Sequence, residues 1–113
     1  MKSKKYTDWV KSLPCCVTRM PADDPHHIIG YGLSGMGQKP SDIFCIPLTR
    51  DKHNELHLDI TRWEEFYGCQ VHHCIDTIKK GIKDCVIDSE IVYEEIIKIK
   101  NKDLRRIFEK CLL

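Results

Sequence analysis

The chain has 113 residues, enough for a single domain (1–113) that buries a core without disulfides. Its 18 Lys+Arg against 17 Asp+Glu give a formal net charge of +1, which excludes the globally basic surface of many nucleic-acid binders. The seven cysteines are odd in number, and no apolar run has the length of a signal peptide or a membrane span. We therefore expect a cytoplasmic protein with reduced thiols and no membrane partner.

The first predicted element is a short helix over residues 6–13. Its apolar residues recur at helical spacing, at Tyr6, Trp9, Val10 and Leu13. Thr7 or Asp8 is the expected N-cap, and Pro14 is the expected stop. This helix has one apolar face, which is typical of a packing role.

Short extended segments and a long loop follow this helix. Residues 15–19 favour an extended run, residues 21–25 a turn, and residues 26–31 a second extended run bounded by glycine. Residues 32–41 have the composition of a loop. Residues 43–48 favour a strand, which their internal proline confines to a sheet edge or a strand end.

The rest of the chain is predicted to be helical, which makes the fold class α+β. Residues 71–82 place their aliphatic side chains on one face, and residues 103–113 are amphipathic. The isoleucine-rich residues 90–100 favour a helix over a strand because their charges are mixed. The tail is then either one bent helix or two. The expected N-caps are Thr49 or Asp51, Asp59 or Thr61, and Asp88 or Ser89. Gly68 is the expected C-terminal stop of the second of these helices.

Two histidine pairs have the spacing of a metal site. Residues i and i+4 share one face of a helix, so His53 and His57 can direct both imidazoles at one ion. A third ligand from a facing strand leaves positions open for water and substrate, which is typical of a catalytic metal site. Successive side chains of a strand alternate faces, so His26 and His27 cannot both point at that ion. One of them can bind the metal while the other reaches a different target.

The order of strand, loop, strand and helix, with these histidines, resembles the HNH endonucleases. More narrowly, residues 9–70 resemble small prophage HNH proteins related to the RecA-dependent nuclease Ref. The runs that carry this resemblance are WVKSLPC, PHHIIGYG, GMGQKPSD, IPLTRDKHNELH and FYGCQ. The resemblance implies a ββα-metal (His-Me finger) core at about residues 15–60, with a short N-terminal helix before it. A helical C-terminal extension at about residues 61–113 follows.

The resemblance also assigns roles to individual residues. His26 matches the metal-binding position and His27 the general base, while His53 and His57 match the helical ligands of one divalent ion. Asp42 stands where many members have asparagine, and it is expected to orient the base or only to cap a turn. Three neutral imidazoles favour Zn²⁺, Ni²⁺ or Mn²⁺ over Mg²⁺, and the identity of the ion stays open.

The implied function is metal-dependent hydrolysis of DNA strands, leaving a 5′ phosphate, in phage or prophage recombination or DNA processing. The implied partners are DNA and a recombinase filament in a bacterial host cell, and both a monomer and a homodimer remain open. A nuclease must neutralise phosphates. The cations that flank the site are Lys39, Arg50 and Lys52.

Other interpretations remain open at this stage. The runner-up function is a non-catalytic, metal-stabilised DNA-binding or recombination accessory protein. A thiol redox protein built on the vicinal Cys15 and Cys16 is a third. Asp23 and Asp24 are turn residues or, alternatively, metal ligands. Buried small side chains or a second metal site are the alternatives for Cys69, His72, His73 and Cys74.

Overall fold

A computed structural model describes residues 1–33 and 40–113, and over these ranges the chain is an α+β protein. Within them it forms six α-helices and one two-stranded antiparallel sheet. Residues 34–39, which hold most of the predicted glycine loop, lie outside the described residues. In chain order the elements are α1 (Lys4–Ser12), β1 (Asp24–His27), β2 (Cys45–Leu48), α2 (Arg50–Leu58), α3 (Ile60–Tyr67), α4 (Gln70–Lys83), α5 (Ser89–Ile96) and α6 (Lys102–Leu112).

The sheet sets the position of the first histidine pair. β1 and β2 pair so that His26 lies opposite Ile46 and His27 lies opposite Cys45. The carbonyl oxygen of Pro47 accepts a hydrogen bond from the Cys16 amide at 3.0 Å, on the side away from β1. A proline inside β2 is tolerated because this strand is an edge strand, which confirms the sequence prediction.

β2 runs through the centre of the hydrophobic core. All four of its residues are buried, because α1 and α4 both pack against it. Full burial of one aliphatic side chain contributes roughly 1.5–3 kcal/mol, so this strand is held firmly between the helices. The largest fully buried apolar side chains are Tyr6, Val10, Ile43, Ile46, Leu48, Leu56, Ile78, Val92, Ile96 and Phe108.

The helix starts follow from local capping chemistry. Thr49, Asp59 and Asp88 each accept a hydrogen bond from a backbone amide in the first turn of α2, α3 and α5, which confirms three predicted caps. Helix α1 differs from the prediction, because the Ser3 hydroxyl accepts from the Tyr6 amide and begins the helix at Lys4. The expectation that Thr7 or Asp8 caps this helix was therefore wrong.

Two predicted extended runs differ from the structure. Residues 15–19 form a turn, in which the Arg19 amide donates to the Cys15 carbonyl and Arg19 has a φ of 66°. β1 begins at Asp24, inside the predicted turn, and ends at His27 instead of continuing to Tyr31. The strand stops early because the Gln70 side chain binds the backbone N–H and C=O of Ile29.

The C-terminal segment is helical, as its mixed charges predict. Residues 90–96 of the isoleucine-rich stretch lie in α5, which ends at Ile96, whereas residues 97–100 are not helical and differ from the prediction. α6 is a separate helix, since the Asn101 side chain accepts from the amides of Asp103 and Leu104. The tail is thus two helices. Among the described helices, none combines the length and the apolar character that crossing a bilayer requires.

Candidate metal centre

Three histidines from β1 and α2 meet at one point. One ring nitrogen from each of His26, His53 and His57 lies within 4.8 Å of the corresponding nitrogens of the other two. The ring centroids of His53 and His57 are 4.9 Å apart, as expected for side chains one helical turn apart. The centroid of His26 lies 4.7 Å from that of His53, so the strand histidine completes the cluster.

His26 is the buried member of the cluster, with 3% of its surface exposed. Its Nε2 atom lies 3.2 Å from the Oε1 atom of Gln70, the first residue of α4. Burial, opposed by the Gln70 hydrogen bond and reinforced by the neighbouring imidazoles, lowers the pKa of His26 to about 4. The ring is therefore neutral at physiological pH, which is the form that binds a metal.

His53 is oriented by a carboxylate. Its Nδ1 atom lies 3.0 Å from Oδ2 of Asp24, and Arg50 donates from Nε and Nη2 to the same carboxylate at 2.8 and 2.9 Å. Hydrogen bonding from Arg50 and then from His53 lowers the pKa of Asp24 to about 2, despite an opposing effect of burial. Asp24 is therefore an ionised acceptor at neutral pH.

The cluster fits a divalent ion by its donor set. It offers three imidazoles, of which His26 is buried, His53 is half-buried and His57 is exposed. The exposed side leaves room for water or substrate, which is the arrangement of three protein ligands plus an open position found in catalytic sites. A neighbouring ionised carboxylate, Asp24, adds the negative charge that favours a cation there.

His27 points away from the cluster, as strand alternation predicts. Its Nε2 atom lies 2.9 Å from Oδ1 of Asp42, and the other carboxylate oxygen of Asp42 accepts from the Ser3 amide at 2.7 Å. A carboxylate accepts hydrogen bonds, so it holds the proton of His27 on Nε2. The second ring nitrogen, Nδ1, is then left with a lone pair that can accept a proton.

An open groove of about 600 Å³ lies beside His27 and Asp42. Its other wall is the start of α1, including the exposed side chains of Lys2 and Lys4. Lys4 also pairs with Asp8 at 2.6 Å on the helix surface. The groove gives a polar molecule direct access to the side of the site where the His27 ring lies.

Two of the cations predicted to contact phosphate bind side chains of the protein itself. The exposed Arg50 binds Asp24, and Lys52 donates to Glu55 at 2.6 Å and to the Tyr67 hydroxyl at 3.1 Å. Both flank the cluster, since they belong to the helix that carries His53. Their contact with DNA remains a prediction. Lys39 lies outside the described residues.

The possible second metal site is taken up by other contacts. The Nε2 atom of His73 lies 2.7 Å from the Tyr67 carbonyl, and the fully buried Cys74 donates to the Ile43 carbonyl. The Cys69 thiol lies 3.1 Å from the Tyr31 hydroxyl, while His72 is exposed. Among the described residues, the ligand atoms of His26, His53 and His57 are close enough together to hold one ion, whereas this group forms no such cluster.

Cys15 and Cys16 lack the features of a reactive thiol pair. Burial raises the pKa of Cys16 to about 12. Hydrogen bonds from Thr18 and backbone amides outweigh burial and lower the pKa of Cys15, but this side chain is fully buried. A reactive cysteine needs both a low pKa and access to solvent. All seven cysteines are free thiols in the structure.

Sequence reasoning missed the two side chains that hold the ligands. The sequence predicts Asp24 as a turn residue or, alternatively, a metal ligand, but it lies in β1 and binds His53. No role was predicted for Gln70, although it is fully buried and binds His26, which lies 44 residues earlier in the chain. The one local signal was the Asp24 carboxylate two residues before His26. The contact of Gln70 depends on the packing of α4 and left no local signal.

Together these features define an α+β protein with a three-imidazole cluster suited to a divalent ion. The chain belongs to the family described as "Protein of unknown function (DUF968)", which matches residues 1–84. It is similar to the "Uncharacterized protein YdfU" of Escherichia coli (strain K12), with 56% identity over 68 residues, or 60% of this chain. The chain spans about a fifth of the length of that curated relative. No solved structure matches the chain.

Proposed function

We propose that this protein is a metal-dependent HNH endonuclease that hydrolyses DNA phosphodiester bonds through a ββα-metal core. The observation that carries the proposal is that the two adjacent histidines of β1 make different contacts. His26 joins the imidazole cluster, while the adjacent His27 pairs with a carboxylate on the other side of the strand. The order β1, β2, α2 supports the proposal, because it matches the order of the HNH module.

In this proposal His27 is the general base. Its Nδ1 atom accepts a proton from the water that attacks the scissile phosphorus, and Asp42 stabilises the imidazolium that forms. Asp42 is itself anchored by the Ser3 amide, so the ring is held in one orientation before substrate arrives. A fixed base within reach of the attacking water contributes roughly 10²- to 10⁴-fold to the rate.

The ion would be held by His26, His53 and His57. When bound, a divalent ion polarises a phosphate oxygen and stabilises the leaving 3′ oxygen as a Lewis acid. Three neutral imidazoles favour Zn²⁺, Ni²⁺ or Mn²⁺ over Mg²⁺. These three histidines belong to β1 and α2, the strand that also carries His27 and the helix that follows β2.

The DNA backbone would approach through the groove beside His27, where the two N-terminal lysines lie. Lys52 can exchange its exposed partner Glu55 for a phosphate at little cost, because ion pairs at the surface contribute at most about 1 kcal/mol. Arg50 is itself exposed and can contact a phosphate while it keeps Asp24. The formal net charge of +1 predicts modest affinity for bare DNA. A recombinase filament would then be a partner that brings this site to DNA, in phage or prophage DNA processing.

The test is incubation of the purified protein with supercoiled plasmid and Zn²⁺, Mn²⁺, Ni²⁺ or Mg²⁺ in turn, with EDTA as the matched control. The proposal expects nicking that requires one of these ions and stops on chelation. Absence of cleavage with every ion, together with metal-dependent DNA binding, would instead support the non-catalytic accessory protein.

A further inference from the structure

Two side chains outside the three-histidine cluster each contact one ring nitrogen of a proposed ligand. Gln70 contacts Nε2 of His26, and Asp24 contacts Nδ1 of His53. The two contacts therefore involve opposite nitrogens of the two rings. A neutral imidazole carries its proton on one nitrogen only, so whatever fixes that proton decides which nitrogen is free to bind a metal.

Gln70 can act toward His26 only as an acceptor. Its Nε2 group donates to the Ile29 carbonyl at 3.0 Å, and its Oε1 atom accepts from the Ile29 amide at 3.0 Å. These two backbone contacts fix the orientation of the side-chain amide. If it were flipped, its NH₂ group would face the Ile29 N–H and its oxygen would face the Ile29 carbonyl. The same Oε1 atom faces His26, which must then carry its proton on Nε2. Nδ1 of His26 is left free.

Asp24 selects the opposite tautomer for His53. An ionised carboxylate only accepts hydrogen bonds, so the contact at 3.0 Å requires the proton of His53 to lie on Nδ1. Arg50 holds this carboxylate through two hydrogen bonds and limits its rotation. Nε2 of His53 is left free, and it is the ring nitrogen further from the helix backbone.

We infer that Gln70 and Asp24 are positioning residues of the metal centre, which set His26 to bind through Nδ1 and His53 through Nε2. This inference rests on the proposed metal site. Neither residue belongs to the proposed ligand set, so each acts on the ion only through the histidine that it contacts. Partners of this kind fix ring orientation and ligand basicity, and their loss typically weakens metal affinity by roughly 10- to 100-fold.

The inference also gives α4 a role in the site. Gln70 is the first residue of α4, and the Glu64 carboxylate accepts from its amide at 2.9 Å. Glu64 accepts in addition from the Tyr31 hydroxyl at 2.6 Å, which ties the segment after β1 to the same helix start. The helical region after residue 60 thus supports the ligand on the strand, and it is not an independent appendage.

The first measurement is the tautomeric state of the histidines in the chelator-treated, ¹⁵N-labelled full chain at neutral pH. Two-bond ¹H–¹⁵N correlation spectra distinguish a proton on Nδ1 from one on Nε2. The inference expects Nε2–H for His26 and Nδ1–H for His53. Finding His26 as the Nδ1–H tautomer, or His53 as the Nε2–H tautomer, would overturn it.

The second measurement is Zn²⁺ affinity by calorimetry for Gln70→Met and Asp24→Leu, which keep side-chain bulk and remove the acceptor. Each should bind roughly 10- to 100-fold more weakly than wild type and lose the preferred tautomer of its own histidine. Asp24→Asn, which retains an acceptor oxygen, should recover part of the loss.

Two controls separate positioning from a general loss of stability. Thr77→Val removes a buried hydroxyl contact of α4 that reaches the His73 carbonyl, and Asp23→Asn alters the carboxylate next to Asp24. Both should keep wild-type Zn²⁺ affinity and tautomers. Unchanged affinity in Gln70→Met and Asp24→Leu would refute the positioning role alone. A wild-type chain that binds no ion would refute the metal site and the inference with it.

Discussion

The Nε2 atom of His27 lies 2.9 Å from Oδ1 of Asp42, whose other carboxylate oxygen is held by the Ser3 amide. This chain of contacts joins the start of α1 to the histidine that we propose as the base. Asp42 therefore acts on His27 from outside the three-histidine cluster, and the two halves of the site can be tested separately.

Replacing Asp42 with asparagine should slow DNA cleavage without changing metal affinity. An amide offers one acceptor where the carboxylate offers two, so either the His27 or the Ser3 contact is lost. We expect a decrease of about tenfold or more in the single-turnover cleavage rate at neutral pH. Zn²⁺ titration of the same variant is the control. A wild-type rate in Asp42→Asn would show that the carboxylate does not orient the base.

Replacing either helical histidine should remove the ion. His53→Ala and His57→Ala each leave two imidazoles, too few for a stable site with an open position. Elemental analysis after dialysis should give substoichiometric metal for both variants and full occupancy for His72→Ala, which changes an exposed histidine of α4. Equal metal content in all three variants would rule out the proposed ligand set.

The stability of the metal-free protein should fall as pH decreases from about 6.5 to about 4. The folded chain lowers the pKa of His26 from 6.5 to about 4, so in this window the unfolded state binds more protons. The resulting loss of unfolding free energy reaches ~3 kcal/mol below pH 4 and vanishes above pH 6.5. Urea unfolding of wild type and His26→Leu, each with chelator, should give a steeper pH dependence for wild type. Parallel pH profiles would contradict the lowered pKa.

Gly68 should be difficult to replace. It ends α3 with φ 94° and ψ 164°, a conformation that is essentially restricted to glycine, and an added Cβ would lie 3.3 Å from Nε2 of His73. Gly68→Ala should lose about 1–3 kcal/mol of unfolding free energy in urea titrations. Gly32→Asn is the comparison, because Gly32 has φ 66°, which asparagine tolerates, and open space around it. Its loss of unfolding free energy should be smaller. Equal losses would argue against backbone strain at Gly68.

Local chemistry explains which parts of the fold the sequence predicts. Thr49, Asp59 and Asp88 cap their helices through bonds to amides two or three residues away, so their roles are readable from short windows. The grouping of His53 with His57 is equally local, because helical periodicity alone places them on one face. These elements were therefore predicted correctly.

Contacts between distant parts of the chain explain what was missed. Gln70 ends β1 by binding the backbone of Ile29 and also binds His26, although α4 follows β1 by more than 40 residues. The sequence predicts Arg50 as a phosphate-binding cation, but in the structure its guanidinium donates to the Asp24 carboxylate. Neither contact is encoded in a periodic pattern. Both depend on how α2 and α4 pack against the sheet.

The most direct test of the central claim is the cleavage of supercoiled plasmid by His27→Ala beside wild type and His72→Ala, with bound metal measured in each sample. His27 contacts Asp42 and does not belong to the imidazole cluster, so its loss should leave metal content unchanged. We predict that His27→Ala binds the ion as wild type does and nicks at least about 100-fold more slowly, while His72→Ala nicks normally. A metal-loaded His27→Ala variant that nicks as fast as wild type would contradict the claim.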